Sequence, residues 1–239
     1  MRSLLARLLP GSSARRRRLR RPAFLGSLRR TTPLGDHWGW DRGLPIDRYY
    51  IERFLAEHRA DITGRVLEVK DDDYTRRFGT TVEQRDVLDI DPGNAHATVV
   101  ADLARADTVP DRSFDCILLT QTLQYVYEVD EAVAEVHRML REGGIALVTV
   151  PSLSRVVLDQ EWGDYWRFTA DACHRLFGNV FGAELVSVTS YGNVLASVGF
   201  LSGLAKEDLR MSELDEVDLR FPVILGVRAQ KSDLSHPGR

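Results

Sequence analysis

The sequence predicts an α/β domain built on a mostly parallel sheet covered by helices. Three observations carry this. Apolar stretches of strand length alternate with helical or irregular crossovers. The strands are apolar on both faces, as strands buried between two helix layers are. The chain of 239 residues has no internal repeat and is long enough for one sizeable domain with an N-terminal extension.

The elements follow in chain order. In "DHWGWDRGLPIDRYYIERFLAEHRADITG", Gly and Pro punctuate the first half, and Pro45 with Asp47 marks a helix start. Tyr50 and Phe54, with Ile51 and Leu55 on a neighbouring line, recur every four residues, which predicts a helix from Asp47 to about Ala60. Strands are expected at 66–69, at the end of "VLDIDP" (87–92), in "ATVVADL" (97–103), in "FDCILLT" (114–120) and in "IALVTVP" (145–151). The helix before the last of these places Val133, Val136, His137 and Leu140 on one side, with Gly143-Gly144 as its stop. "DYWRFTADACHRLFG" reads as a loop and helix, and "AELVSVTS" (183–190) and "FPVILGVRAQK" (221–231) as the remaining strands.

Charge divides the chain. Residues 1–35 hold ten arginines and no acid, which leaves the body at about −13, from 22 basic against 35 acidic residues. The arm is open to three readings. It is a solvated tail, a peripheral anchor with Leu4, Leu5, Leu8 and Leu9 on one face and Arg15 to Arg18 for anionic lipid, or a nucleic-acid arm. A transit peptide is a minor option, and a secretory signal fits poorly. The acidic body makes a nucleic-acid partner unlikely. Lysine occurs only at 70, 206 and 231, an arginine bias that suggests a GC-rich, bacterial genome. No run approaches the ~18 apolar residues of a membrane span. Cys116 and Cys173 lack disulfide or ligand spacing and the six histidines are scattered, so no metal is expected and a cytoplasmic setting is the simplest.

Three stretches resemble the class I S-adenosylmethionine-dependent methyltransferases, of the type 11-like kind, over roughly Asp47 to Gln230. "FDCILLTQTLQYVYEVDEAVAEVHRMLREGGIALVTVP" is similar to that family's fourth strand, helix and fifth strand, with Glu142 where a proline is usual. "VLDIDP" then "VVADL" resembles its ribose and adenine sites. "DYWRFT" (164–169) resembles a segment frequent among small-molecule and sugar-modifying members. The resemblance implies a Rossmann-like seven-stranded sheet with the last strand antiparallel. The implied organisation is an arm (1–35), a lid segment and helix (36–63), a methyltransferase-like domain (64–231) and a tail (232–239).

In "VLEVKDDDYTRRFG" (66–79), Glu68 fills the acidic position of the family's cofactor loop. Lys70, Asp72 and Tyr74 stand where the family has spaced glycines that let the backbone approach the cofactor. Asp71 or Asp72 is a candidate for the methionine amine and Lys70 for its carboxylate. Asp91 and Asp89 compete for the ribose hydroxyls, with Asp91 slightly preferred, or either caps a turn. Asp102 is placed for the adenine amine and Leu103 for the ring face, or Asp102 caps a helix or turn. Thr120, Gln121 and Gln124 leave the fourth strand beside the transfer point. Tyr165, Trp166 and Arg167 suit a sugar or acidic acceptor, though Trp166 also suits packing. Trp38, Trp40, Asp41, Arg42, Tyr49 and Tyr50 form a segment that could close over the cofactor mouth, with Gly39 and Gly43 letting it move. His137 reads as a packing residue, and no constellation identifies a general base.

The implied function is methyl transfer from S-adenosylmethionine to an oxygen or nitrogen of a small molecule or saccharide. The alternative is a non-catalytic domain of the same fold that docks at a membrane or partner. A third option is an enzyme using a different nucleotide in the same crevice. An anionic membrane surface is a possible partner through the arm, with location at the inner face of the membrane.

Overall fold

A computed structural model describes residues 26–158 and 162–233. The chain divides into two compact units, Met1–Pro33 and Leu34–Arg239. In the first, the described part is a 3-10 turn at Gly26–Leu28, closed by Arg29 N–H donating to Gly26 O at 3.1 Å. The leucines and the Arg15 to Arg18 run of the arm lie outside the described residues, as does most of the tail.

The second unit is a seven-stranded sheet in the order β3-β2-β1-β4-β5-β7-β6. Its strands are β1 (Thr63–Val69), β2 (Thr81–Asp89), β3 (Val99–Val100), β4 (Phe114–Thr120), β5 (Leu140–Pro151), β6 (Val186–Tyr191) and β7 (Ile224–Gln230). The β3-β2-β1-β4-β5 ladder is parallel, and β7 runs antiparallel to both β5 and β6. The helices are α1 (Ile46–Glu57), α2 (Asp73–Phe78), α3 (Val129–Met139), α4 (Ala170–Phe181), α5 (Val194–Leu201) and α6 (Met211–Asp215).

Alternation along the central strands builds a core on each face of the sheet. Ile117 and Leu119 of β4 join Val133, Val136, Phe177 and Phe181 of α3 and α4. Cys116 and Leu118 join Tyr50, Phe54 and Leu55 of α1 and Phe200 of α5. Gly226 of β7 makes room for α1, since a Cβ there would lie 2.5 Å from Phe54 Cδ2. The predicted helix at 47–60 is α1, shortened at its C-terminal end by a 3-10 turn, Arg59–Asp61.

The structure departs from the expected elements at four places. The third strand shrinks to Val99–Val100. Helix α3 ends at Met139, a turn before Gly143-Gly144, and Leu140 already pairs with Phe114 across the β4–β5 ladder. Lys231 caps this end, its buried ammonium donating to the carbonyls of His137 (2.9 Å) and Leu140 (2.8 Å). Residues 73–78, which carry no helix-length pattern, form α2. Helix α5 has no polar face to announce it and is fixed by its cap, where Asn193 Oδ1 accepts from Leu195 N (2.9 Å) and Ala196 N (3.0 Å).

Candidate active site

Parallel strands present their carboxyl ends together, and in open α/β sheets ligands bind in the crevice outside those ends. The exits of β1, β2, β4 and β5 bring most of the sequence-predicted residues to this edge.

At the exit of β1, Lys70 holds φ +78, a left-handed conformation that a non-glycine residue adopts at a cost of roughly 1–2 kcal/mol. The turn a glycine would favour is therefore kept without the glycine. The chain then enters α2. Glu68, 2% exposed, accepts from Tyr74 N (3.1 Å), Thr75 N (2.8 Å) and Thr75 Oγ1 (2.7 Å), and so ties the first turn of α2 to the strand. Desolvation pushes its carboxyl up to about 7 despite these three donors.

The side chains at the other glycine-spaced positions are drawn aside. Asp72 pairs with Arg76 (2.8 Å) and Arg85 (3.3 Å), which holds its carboxyl below the usual range, the Arg76 hydrogen bond first. Tyr74 is buried and its hydroxyl accepts from Arg48 at 3.1 Å. Asp71 Oδ1 accepts from Asp73 N (3.1 Å), and Asp71 and Lys70 are exposed. Arg48, from the first turn of α1, was not marked by any sequence signal. Desolvation lowers its pKa, but Asp47, Tyr74 and Asp71 act against this and the net direction is up.

At the exit of β2, Asp89 is partly buried and Asp91 lies beyond it in the exposed turn. Asp89 Oδ1 accepts from Asp91 N (3.0 Å), and Asp91 Oδ1 accepts from Gly93 N (2.8 Å). Asn94 Nδ2 bridges Asp89 Oδ2 (2.6 Å) and the Lys70 carbonyl (2.7 Å), so the exits of β1 and β2 are joined by one amide. Asp102, after β3, caps a 3-10 turn by accepting from Ala104 N (2.9 Å), and Leu103 is buried below it. Ile90 is 52% exposed.

At the exit of β4, Gln121 adopts φ +51, and its N–H donates to Thr149 O of β5 (2.9 Å). Gln121 Nε2 is a buried donor with no partner, and Gln124 Oε1 a buried acceptor with none. Such groups carry a desolvation cost that a ligand can relieve. Gln124 Nε2 donates to Gln121 O (2.9 Å), and Gln124 O receives Tyr165 N (2.8 Å), which brings the β5 exit segment to the β4 exit. Thr120 O accepts from Thr122 Oγ1 at 3.3 Å.

Tyr127, Tyr165 and Trp166 form an exposed aromatic wall. The Tyr127 ring lies 5.2 Å from Tyr165, edge to face, and 6.1 Å from Trp166, stacked. Trp166 Nε1 donates to Val126 O (3.0 Å), which fixes the indole while leaving much of it in solvent. Arg167 is committed elsewhere. It forms a bidentate pair with Asp164 (2.5 and 2.9 Å) and donates to Arg155 O (2.8 Å), so it clamps its own loop. Tyr125 has its hydroxyl pKa raised by burial and feels Asp164, Arg167 and Arg48.

The segment before α1 is fastened rather than loose. Leu34 N donates to Ser202 O (2.7 Å), Arg42 pairs bidentately with Asp208 (2.7 and 2.6 Å), and the Arg155 guanidinium lies 3.5 Å over the Trp38 ring. Gly39, expected to permit motion, has φ +100 and serves close approach, since a Cβ would lie 2.6 Å from Leu204 O. Tyr49 donates to Asp215 Oδ1 and Tyr50 to Leu214 O, both on α6. Trp40 and Asp41 are exposed. His137 packs edge-on against Phe181 at 4.9 Å. Among the described residues no group of acids, histidines and cysteines could hold a metal ion. None of their helices is long and apolar enough to cross a membrane.

Comparison with known proteins agrees with this layout. Residues 55–148 match a methyltransferase-domain family model. No curated protein matches the chain. Among solved structures, a SAM-dependent methyltransferase from Archaeoglobus fulgidus is similar at TM-score 0.52 and 12% identity, over 77% of this chain and 94% of that one. A 1,6-didemethyltoxoflavin-N1-methyltransferase from Burkholderia thailandensis, with bound 1,6-didemethyltoxoflavin and S-adenosylhomocysteine, is similar at TM-score 0.50 and 16% identity, over 81% of each. The [4+2]-cyclase SpnF is similar at TM-score 0.51 and 16% identity, over 85% and 88%. Identities this low speak to the fold alone, and the cyclase shows that one fold hosts more than one reaction. Strand order and these similarities show that the chain has the fold of the S-adenosylmethionine-dependent methyltransferases, with the methyltransferase-domain model matching its residues 55–148.

Proposed function

We propose that the protein binds S-adenosylmethionine at this crevice and transfers its methyl group to an oxygen or nitrogen of a small molecule or saccharide. The observation that carries the reading is the unpartnered, buried Gln121 Nε2 at the β4 exit, a segment that Gln124 ties to the aromatic wall of Tyr127, Tyr165 and Trp166. The residues present fit the cofactor. Asp89 offers a carboxylate for ribose hydroxyls, and Asp102 one for an exocyclic amine. Ile90 offers an apolar face for adenine. Lys70, Asp71 and Arg48 supply both signs of charge for the amino-acid end, in place of the backbone approach that glycines would give.

The bound cofactor supplies a methyl group activated by a sulfonium. An acceptor lone pair forms the new bond to carbon as the carbon–sulfur bond breaks, and the acceptor proton leaves to solvent or a nearby base. The protein's part is to position both molecules and limit water. The aromatic wall suits the face of a sugar or heteroaromatic ring. The acidic body disfavours a nucleic-acid acceptor.

Calorimetric titration of the full chain with S-adenosylmethionine and S-adenosylhomocysteine tests the reading. Micromolar binding, about −8 kcal/mol, is expected. The absence of both heat and thermal shift at millimolar ligand would overturn it.

A further inference from the structure

Helix α5 has no charged residue in its eight positions, Val-Leu-Ala-Ser-Val-Gly-Phe-Leu. Ala196, Ser197, Gly199 and Phe200 face the core. Val194, Leu195, Val198 and Leu201 are 52, 43, 39 and 52% exposed. Their spacing of one, three and four residues places them on one side of the helix. A helix apolar all round is ordinarily buried all round, and this stripe is not.

The segment after α5 enlarges the surface. Met211, Val217, Leu219 and Phe221 are also exposed. Their segment lies against α5, where Asn193 Nδ2 donates to Glu213 O (2.7 Å) and Glu216 O (2.8 Å), and Ser197 Oγ to Phe221 O (3.0 Å). Of the six acids in residues 207–218 three are ion-paired, while Glu207, Glu213 and Glu216 have no ion pair among the described residues. Asp208 pairs with Arg42, Asp215 with Arg53 and Asp218 with Arg220.

Two further facts say what covers the stripe. The chain enters the domain at Leu34 and Gly35, whose N–H groups donate to Ser202 O at the end of α5 (2.7 and 3.4 Å). The residues covalently attached there belong to the segment with ten arginines and no acid. An apolar stripe and a polybasic tether starting from one helix end are the two signals that together hold a protein on an anionic bilayer, where either alone is marginal. In addition, β6 is antiparallel to β7 and β7 to β5, so β6 runs with the parallel strands. Helix α5 therefore starts at the crevice end of the sheet.

We propose that the aliphatic stripe of α5 is a docking site for an anionic lipid surface, which it enters at headgroup depth while the arginine arm supplies the charge. This does not depend on the methyltransferase reading.

Flotation of the full chain with phosphatidylcholine vesicles, with and without phosphatidylserine, tests it against the double variant Leu195→Glu/Val198→Glu. Both positions are exposed, so the variant is expected to keep its melting temperature and elution volume. Binding to phosphatidylserine vesicles is expected to fall roughly tenfold or more. A second readout places an environment-sensitive dye at Val198→Cys, which is selective because Cys116 and Cys173 are buried. A blue shift on phosphatidylserine vesicles is expected. Equal flotation of variant and wild type, no dye shift, or wild type that ignores the vesicles at low salt would each overturn the proposal. So would a wild-type dimer that the variant dissolves without any vesicle binding, which would assign the stripe to a second copy.

Discussion

Replacing Glu68 with Gln separates two opposing energies at the root of the cofactor loop. The carboxylate holds three donors at 2.7–3.1 Å and is almost fully buried. Its pKa rises from 4.5 to about 7 in the folded state, so the folded protein holds this proton where the unfolded chain has released it. Stability is then greatest below the unfolded value, falls as pH rises from about 4.5 to about 7, and levels off above. A shift of this size corresponds to about 3 kcal/mol, of which about 2.5 falls between pH 5 and pH 8. Glutamine does not titrate and, like the protonated carboxyl, presents one carbonyl acceptor, so it mimics the form the folded protein holds at pH 5. The variant is therefore expected to be close to wild type near pH 5 and more stable than it, by about 2.5 kcal/mol, near pH 8. Urea unfolding of both proteins at both pH values measures the double difference, in which all other titrating groups cancel. A wild-type minus variant difference that is the same at pH 5 and pH 8 would refute a raised Glu68 pKa.

Lys70→Gly removes the left-handed strain at φ +78 but adds unfolded-state entropy, so a gain of up to about 1 kcal/mol in urea unfolding is expected and a clear loss would contradict the strain. Asp89→Asn removes the charge from the ribose-side acceptor and is expected to weaken S-adenosylhomocysteine by about tenfold to a hundredfold in calorimetry, with Tm nearly unchanged. Asn94→Ala unties Lys70 O from Asp89 and is expected to weaken the same ligand less, about threefold to tenfold. Cys173 has its thiol pushed up to about 12 and Cys116 higher still by burial, so neither is expected to react with a thiol reagent until the protein is denatured.

What could be read in advance depended on periodicity. The apolar runs of β1, β4 and β5 and the four-residue rhythm of α1 are local signals, and each element stands close to where its pattern lies. The acids at the ends of β2 and β3 were legible because strand ends mark the crevice edge. Helix α2 was not, since six residues carry too little pattern. Nor was α5, whose lack of a polar face removes the amphipathic signal. Arg48 and Asn94 act through partners 26 and 24 residues away, at Tyr74 and Lys70, and nothing near them in sequence signals that.

The sequence by itself determined that this chain folds as an α/β sheet with an acidic loop in place of glycines. Hydrophobic burial along each strand is a local property, and a missing glycine is visible letter by letter. Only the tertiary structure decided what that loop does. It turned Lys70 left-handed, drew Asp72 to Arg85 and Tyr74 to Arg48, and left Gln121 Nε2 buried without a partner. Those outcomes depend on which strands become neighbours, because an ion pair or an orphaned donor exists only between groups that the whole sheet brings together.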